Sequence, residues 1–361
     1  MNDLHPQAEA IGEPLSRYRL TFEQTLLLKA TLLRGQTALS AWKQWKNCVD
    51  IEILDGASYA LLPQLYQNLL VHQVEDPHMG RLKGAYRCNW YVTQLQLKSL
   101  DTALTALAKT GVNTIALGDA ALHCYDRDRP IISGYLLVHH DQLDLTYETL
   151  TQTGWAAPAP APGSASLQLQ GRQKNWLYIQ THLFWGTPQE EIDQAVWHYS
   201  IAPPSQQEVS LLLALLPSPT DQLLDICVRT FLINSTLSIH GLADAYLLIQ
   251  TLGNAIDWRR LVAQAQRYRL ILPLRNLLVA LQQVLQPTIP DWVLLVLRGL
   301  PITPQELLTY QVLAEDWPLW VRSQLLLKQQ SLERQWLRLR YASFPGRGIL
   351  KSLLVSSKSI I

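Results

Sequence analysis

Charge is scarce in this chain. Of its 361 residues only 16% are Asp, Glu, Lys or Arg, against roughly 25% in an average globular protein. Hydrophobic residues make up 48%, a balance that excludes a disordered chain. Cysteine is scarce too. Cys48, Cys88, Cys124 and Cys227 lie far apart with no C-x-x-C pair, which excludes a disulfide framework and a cysteine-based zinc site. No run of about 20 apolar residues occurs, so a transmembrane helix is excluded. The opening MNDLHPQAEAIGEP has neither a basic nor an apolar leader segment. No signal peptide is expected there, and a reducing cytoplasm is the expected location. G-x-x-x-x-G-K-[ST] and G-x-S-x-G are both absent, which leaves P-loop and serine-hydrolase chemistry without support.

What charge there is lies unevenly. The net charge is +1, yet the segment 319–361 carries +7 and the remainder −6. Such asymmetry in a nearly neutral chain points to a partner for the basic tail. The length suits two or three modules with a sizeable core.

Apolar periodicity makes the first hundred residues helical. Thr21 and Gln24 have capping-box spacing ahead of FEQTLLLKATLL, and ALLPQLYQNLL repeats the pattern after Asp55-Gly56. A long amphipathic helix follows, with Leu97, Leu100, Leu104 and Leu107 at helical intervals and Gly111 in place to end it. After Gly111 the character changes. VNTIALG, IISGYLLV, SLQLQ and NWLYIQTHLFW read as strands, with DAALHCYD and DQLDLTYETLTQTG as helices between them. The Pro/Ala-rich stretch 156–165 reads as an extended surface loop. From about Glu190 helices return, starting with QEVSLLLALL and running to ILPLRNLLVALQQVL. Prolines 287, 290, 301, 304 and 318 mark a looser region before a last helix over 320–341. The expected fold is α+β and mostly helical, with a small mixed-sheet core flanked by helical regions. The expected divisions are 1–112 (helical), 113–189 (α/β core), 190–318 (helical) and 319–361 (basic helical tail).

The α/β segment contains ALGDAAL (Ala116 to Leu122), Tyr125, Arg129-Pro130, Leu136-Leu137-Val138 and His182-Leu183-Phe184-Trp185. In order and spacing these resemble the uncharacterised nucleotidyltransferases, a family seen mainly in bacteria. That family reads LLKGAAL, then Tyr and Arg-Pro, then a strand with two alternating Asp, then a Glu two residues before a His. The helices around Asp244 and Asp257-Trp258 look like its C-terminal part, and ALLPQLYQNLL fits its N-terminal part. The resemblance spans about Ala60 to Leu285, and it implies a nucleotidyltransferase core with Mg²⁺ and a nucleoside triphosphate.

Nucleotidyl transfer needs divalent cations that neutralise the triphosphate and align the attacking and leaving oxygens. Mg²⁺ takes anionic oxygens. Carboxylates at i and i+2 of a strand share one face, and so can hold it together. In this chain the resemblance places Ser133 and Tyr135 at the two Asp positions, Gln180 at the Glu, and Gly118 at the turn Lys. A hydroxyl, a phenol with a reference pKa near 10 and an amide supply no charge at neutral pH. The expectation is therefore a catalytically degenerate protein, acting by binding or scaffolding, with no cofactor. Gly118, Asp119, Arg129 and His182 are its candidate cleft residues.

An active Mg-dependent enzyme is the alternative, with Asp126, Asp128, Asp141 or Asp144 as displaced carboxylates and Mg and a nucleoside triphosphate as cofactors. A helical adaptor is the second alternative. Asp119, after the turn glycine, reads as an N-cap. His123, His139, His140 and His182 lack zinc-ligand spacing, so no metal site is expected. The tail places Arg322, Arg334, Arg338 and Arg340 among apolar residues, as a surface for a protein partner, with an anionic membrane or nucleic acid as alternatives.

Overall fold

The computed structural model describes residues 20–160, 164–184, 190–204, 211–230, 238–307 and 310. The chain divides into two compact units, Met1–Leu307 and Leu308–Ile361. The basic tail, with Arg322, Arg334, Arg338 and Arg340, lies outside the described residues, as does Trp185.

Among the described residues five helices precede the sheet. They are α1 (Phe22–Leu32), α2 (Gly35–Cys48), α3 (Gly56–Ala60), α4 (Leu62–Val71) and α5 (Met79–Lys109). Thr21 and Gln24 close the capping box in both directions, and Asp55 caps α3. Gly111, just beyond α5, takes a φ of 77°, the left-handed conformation in which glycine ends a helix without steric cost.

Four strands form one mixed sheet: β1 (Ile115–Leu117), β2 (Gly134–Leu137), β3 (Ser166–Gln170) and β4 (Trp176–Gln180). Their order is β1-β2-β4-β3. The β2–β4 pair is parallel, and its two neighbours are antiparallel. Between the strands lie α6 (Gly118–His123) and α7 (Leu143–Gln152). Leu97, Leu100, Leu104 and Leu107 of α5 join Leu136, Leu177 and Ile179 of the sheet in one buried cluster. Gly134 lies close against α5 and β4. A Cβ there would lie 2.8 Å from Leu100 Cδ2 and 2.9 Å from Leu177 Cδ1.

The later helices are α8 (Glu190–Tyr199), α9 (Pro219–Val228), α10 (Ile239–Leu252), α11 (Trp258–Arg267), α12 (Ile271–Val284) and α13 (Asp291–Gly299). α10 packs on α1, α3, α9 and α12, so helices from before and after the sheet meet. Two sequence expectations need correction. In QEVSLLLALL, Leu211–Leu213 is a single 3₁₀ turn, and Leu215 then runs beside β1, exchanging backbone hydrogen bonds with Thr114 and Ala116 at 2.9 and 2.8 Å. Pro217 keeps the residue before it out of helical geometry, and the free side of β1 offers the backbone partners. The proline-punctuated region also holds a helix, α13, which fits between Pro290 and Pro301.

Candidate functional site

β1 leads into a turn at Gly118, where φ is +56°, a conformation glycine adopts freely. Opposite it, Tyr135 on β2 pairs in register with Leu117 on β1 and with Tyr178 on β4. Residues paired across a sheet share a face, as do alternate residues of one strand. Tyr135, Tyr178 and Gln180 therefore point to one side, and Ser133 directly precedes the strand two residues before Tyr135. The sheet thus brings together the three positions where the resemblance implies carboxylates.

Aromatic and cationic groups occupy this face. The rings of Tyr135 and Tyr178 stack with centroids 4.8 Å apart and 12° between planes. The Arg229 guanidinium lies 4.5 Å from the Tyr135 ring centroid. Its Nη1 and Cζ come within 3.6 and 3.7 Å of where a Gly118 Cβ would sit. Arg229 follows α9, and its Nε donates to both oxygens of Asp225 one turn earlier, at 2.9 and 2.8 Å. Burial raises the Tyr135 phenol above its ordinary pKa, and the Arg229 charge opposes part of that rise.

Gln180 is buried at the end of β4. Its Nε2 donates to the carbonyls of His182 and Leu183 at 2.8 and 2.9 Å, and its Oε1 has no partner. His182 faces away into a separate contact. Its Nδ1–H donates to Asp193 Oδ2 on α8 at 2.6 Å, and its ring lies 6.3 Å from that of His140.

The second cluster centres on Arg129, which is 2% exposed. Its Nε and Nη2 donate to Asp244 Oδ1 and Oδ2 on α10 at 2.6 and 2.8 Å. Nη2 also donates to Asp119 Oδ1 at 3.1 Å, and the Nη atoms lie 3.2 and 3.0 Å from the two ring nitrogens of His240. Burial, followed by the Arg129 charge, pushes His240 down to about 3. Asp119 is not the N-cap expected of it. The helix starts at Gly118 after Leu117, and the Asp119 carboxylate instead accepts from Arg129 and, through Oδ2, from the Ile132 N–H at 3.1 Å. That last bond ties the Gly118 turn to the chain just ahead of Ser133. Tyr125, Arg129 and Asp244, three residues that carry the family likeness, line one cavity of about 10 Å³, the size of a single water.

The displaced carboxylates do not gather at the Tyr135 face. Asp126 accepts from Gln64 at 3.1 Å, and Asp128 accepts from Tyr86 and Gln67 at 3.4 Å, so both turn toward α4 and α5. Asp141 lies in a 3₁₀ turn and Asp144 in the first turn of α7. The acidic groups that do act on Tyr135 are Asp119 and Asp225, each paired with an arginine. Among the described residues no group of three His, Cys, Asp or Glu is placed to hold a metal. His123 Nδ1 instead contacts the Arg129 carbonyl at 2.8 Å.

Arg229 and Tyr178 were missing from the sequence-derived site. The sequence does carry a signal for Arg229, because Asp225 and Arg229 stand four apart at the end of the apolar run of α9, where a charge pair needs a reason.

A four-stranded mixed sheet whose Gly turn faces a strand with its two alternating positions is a nucleotidyltransferase-like arrangement. The chain belongs to the uncharacterised nucleotidyltransferase family, whose model matches residues 44–286. Among solved structures it is similar to an antigenic nucleotidyltransferase-like protein from Paracoccidioides brasiliensis, at 13% identity and a TM-score of 0.34, covering 56% of this chain and 97% of that one. No curated protein matches it. Among the described residues no helix is long and apolar enough to cross a membrane.

The residues at the positions where the resemblance implies carboxylates do not fit Mg²⁺. A hard dication takes anionic oxygens, and here Ser133 and Tyr135 offer neutral ones. Gln180 has its amide nitrogen committed to two carbonyls, and the Arg229 cation already lies on the ring of Tyr135.

Proposed function

We propose that this protein is a catalytically degenerate nucleotidyltransferase-like protein that works by binding or scaffolding. The observation that carries the reading is the contact of Arg229 with Tyr135 beside the Gly118 turn. A dication brought there would meet a fixed positive charge rather than two carboxylates, and at low effective dielectric that repulsion is strong. The Tyr135–Tyr178 stack also takes up volume beside the strand. Asp126 and Asp128 are engaged at α4 and α5, and among the described residues no group of three His, Cys, Asp or Glu is placed to hold a metal, which weighs against the reading as an active enzyme with displaced carboxylates. The mixed sheet, with β2 and β4 adjacent, weighs against a purely helical adaptor.

In this reading 113–189 is the inherited core, the regions 1–112 and 190–318 frame it, and the basic tail 319–361 serves a protein partner. Radiolabelled nucleotide transfer and Mg-ATP titration calorimetry test it. No transfer and no Mg²⁺-dependent heat are expected. Transfer that falls on Ser133→Ala or Tyr135→Phe would overturn it.

A further inference from the structure

We propose that the exposed face of α5 binds single-stranded nucleic acid, with bases stacked on Trp90 and Tyr91 and phosphates held by Lys83, Arg87 and Lys98. This surface lies outside the Tyr135 cleft and does not depend on the fate of catalysis there.

The charge of α5 is one-sided. From Met79 to Leu100 the helix carries Arg81, Lys83, Arg87 and Lys98 and no acidic residue. At 3.6 residues per turn, Lys83, Arg87, Trp90, Tyr91, Gln94 and Lys98 fall within an arc of about 100°, and Lys83 to Lys98 spans about 22 Å. Arg81 lies off that arc and pairs with Glu52. Lys83, Arg87 and Lys98 are exposed and make no ion pair among the described residues. Trp90 and Tyr91 are 55% and 59% exposed. Two adjacent large aromatics left in water in mid-helix are costly to solvation, and here they sit between cations.

That combination fits a partner with flat π-faces and a repeating negative charge. Stacking on aromatic side chains is tolerant of sequence because every base has a face, while a basic track follows the backbone. An acidic protein segment would satisfy the cations alone and would leave both rings without a matched partner. The face ends at Asp101, one turn beyond Lys98.

The test uses the full chain and fluorescein-labelled oligo-dT and oligo-rU of about 12 nucleotides, read by anisotropy from roughly 50 to 200 mM KCl. Wild type is expected to bind, with log K falling linearly against log salt. Replacing Lys83, Arg87 and Lys98 together by Gln should lower the slope by about 2, at about 0.7 per phosphate contact on a single strand. Trp90→Ala with Tyr91→Ala should weaken binding at least tenfold at an unchanged slope, and Trp90→Phe with Tyr91→Phe should keep most of the affinity. These are surface positions, and circular dichroism of each variant checks the fold. Three outcomes would overturn the proposal. One is no binding at low salt. Another is loss that follows only Arg334→Gln, Arg338→Gln and Arg340→Gln. The third is indifference to the aromatic changes with equal competition by polyglutamate, which would make this an acidic-protein surface.

Discussion

Arg129 and Asp244, 115 residues apart in sequence, are joined by two hydrogen bonds of 2.6 and 2.8 Å in a buried ion pair. The pair fastens α10 to the loop ahead of β2, and through Asp119 it reaches the Gly118 turn. Breaking one side of such a pair strands a buried charge, which costs about 3–5 kcal/mol, whereas replacing both sides by apolar residues costs far less. Asp244→Ala leaves Arg129 with Asp119 as its remaining acidic partner and should destabilise by up to that amount in urea denaturation. Arg129→Met combined with Asp244→Leu should cost less than Asp244→Ala alone. A larger loss in the double variant would mean that the network holds the fold by more than charge compensation.

His240 adds a pH dependence to the same cluster. Its folded pKa, about 3, lies below the usual value of 6.5, so it stays neutral in the fold while the unfolded chain takes up a proton. Its contribution is complete above about pH 6.5 and is lost as pH falls toward 3, at no more than about 1.4 kcal/mol per pH unit. His240→Gln should flatten the stability profile between pH 6.5 and about 3. Comparing the two proteins cancels the contributions common to both. Parallel profiles for the two would show that His240 is charged beside Arg129.

Much of this fold was legible because it follows from local pattern. The capping box at Thr21, the length of α5, the glycine after it and the strands around Ala116 and Leu136 all rest on periodicity and turn chemistry. The shared face of Tyr135 and Gln180 is different, because it depends on the β2–β4 register, which alternation along one strand does not fix. The misses have tertiary causes. Leu215 leaves a helical pattern because β1 offers it backbone partners, a contact distant in sequence. Asp119 gives up capping because Arg129 lies within reach of its carboxylate. Arg229 enters the site from α9, and no spacing rule connects it with Tyr135.

The resemblance implies Glu at position 180, and the surroundings of Gln180 suit an amide. Its nitrogen donates to two carbonyls that a carboxylate could only repel. Gln180→Glu should therefore destabilise the protein at neutral pH by about 1–3 kcal/mol, the cost of leaving buried polar groups unmatched. Thermal or urea unfolding measures this. An unchanged or higher stability would show that the loop 181–184 rearranges to accept the acid.

Placing carboxylates at 133 and 135 should not by itself create a cation site, because Arg229 stands in the way. In Ser133→Asp with Tyr135→Asp, the new acid at 135 would face the Arg229 guanidinium, which lies 4.5 Å from the present ring centroid. An ion pair is expected there, and it would consume the charge meant for metal. Adding Arg229→Gln removes the competing cation and releases Asp225, which now accepts both bonds from Arg229 Nε. Three carboxylates would then surround the Gly118 turn, a donor set that suits Mg²⁺ or Mn²⁺. Mn²⁺ binding followed by electron paramagnetic resonance separates the cases. The expected order is no binding by wild type, none or little by the double variant, and clear binding by the triple variant. Tight binding by the double variant would show that Arg229 swings aside freely, and that carboxylates at 133 and 135 alone make a cation site.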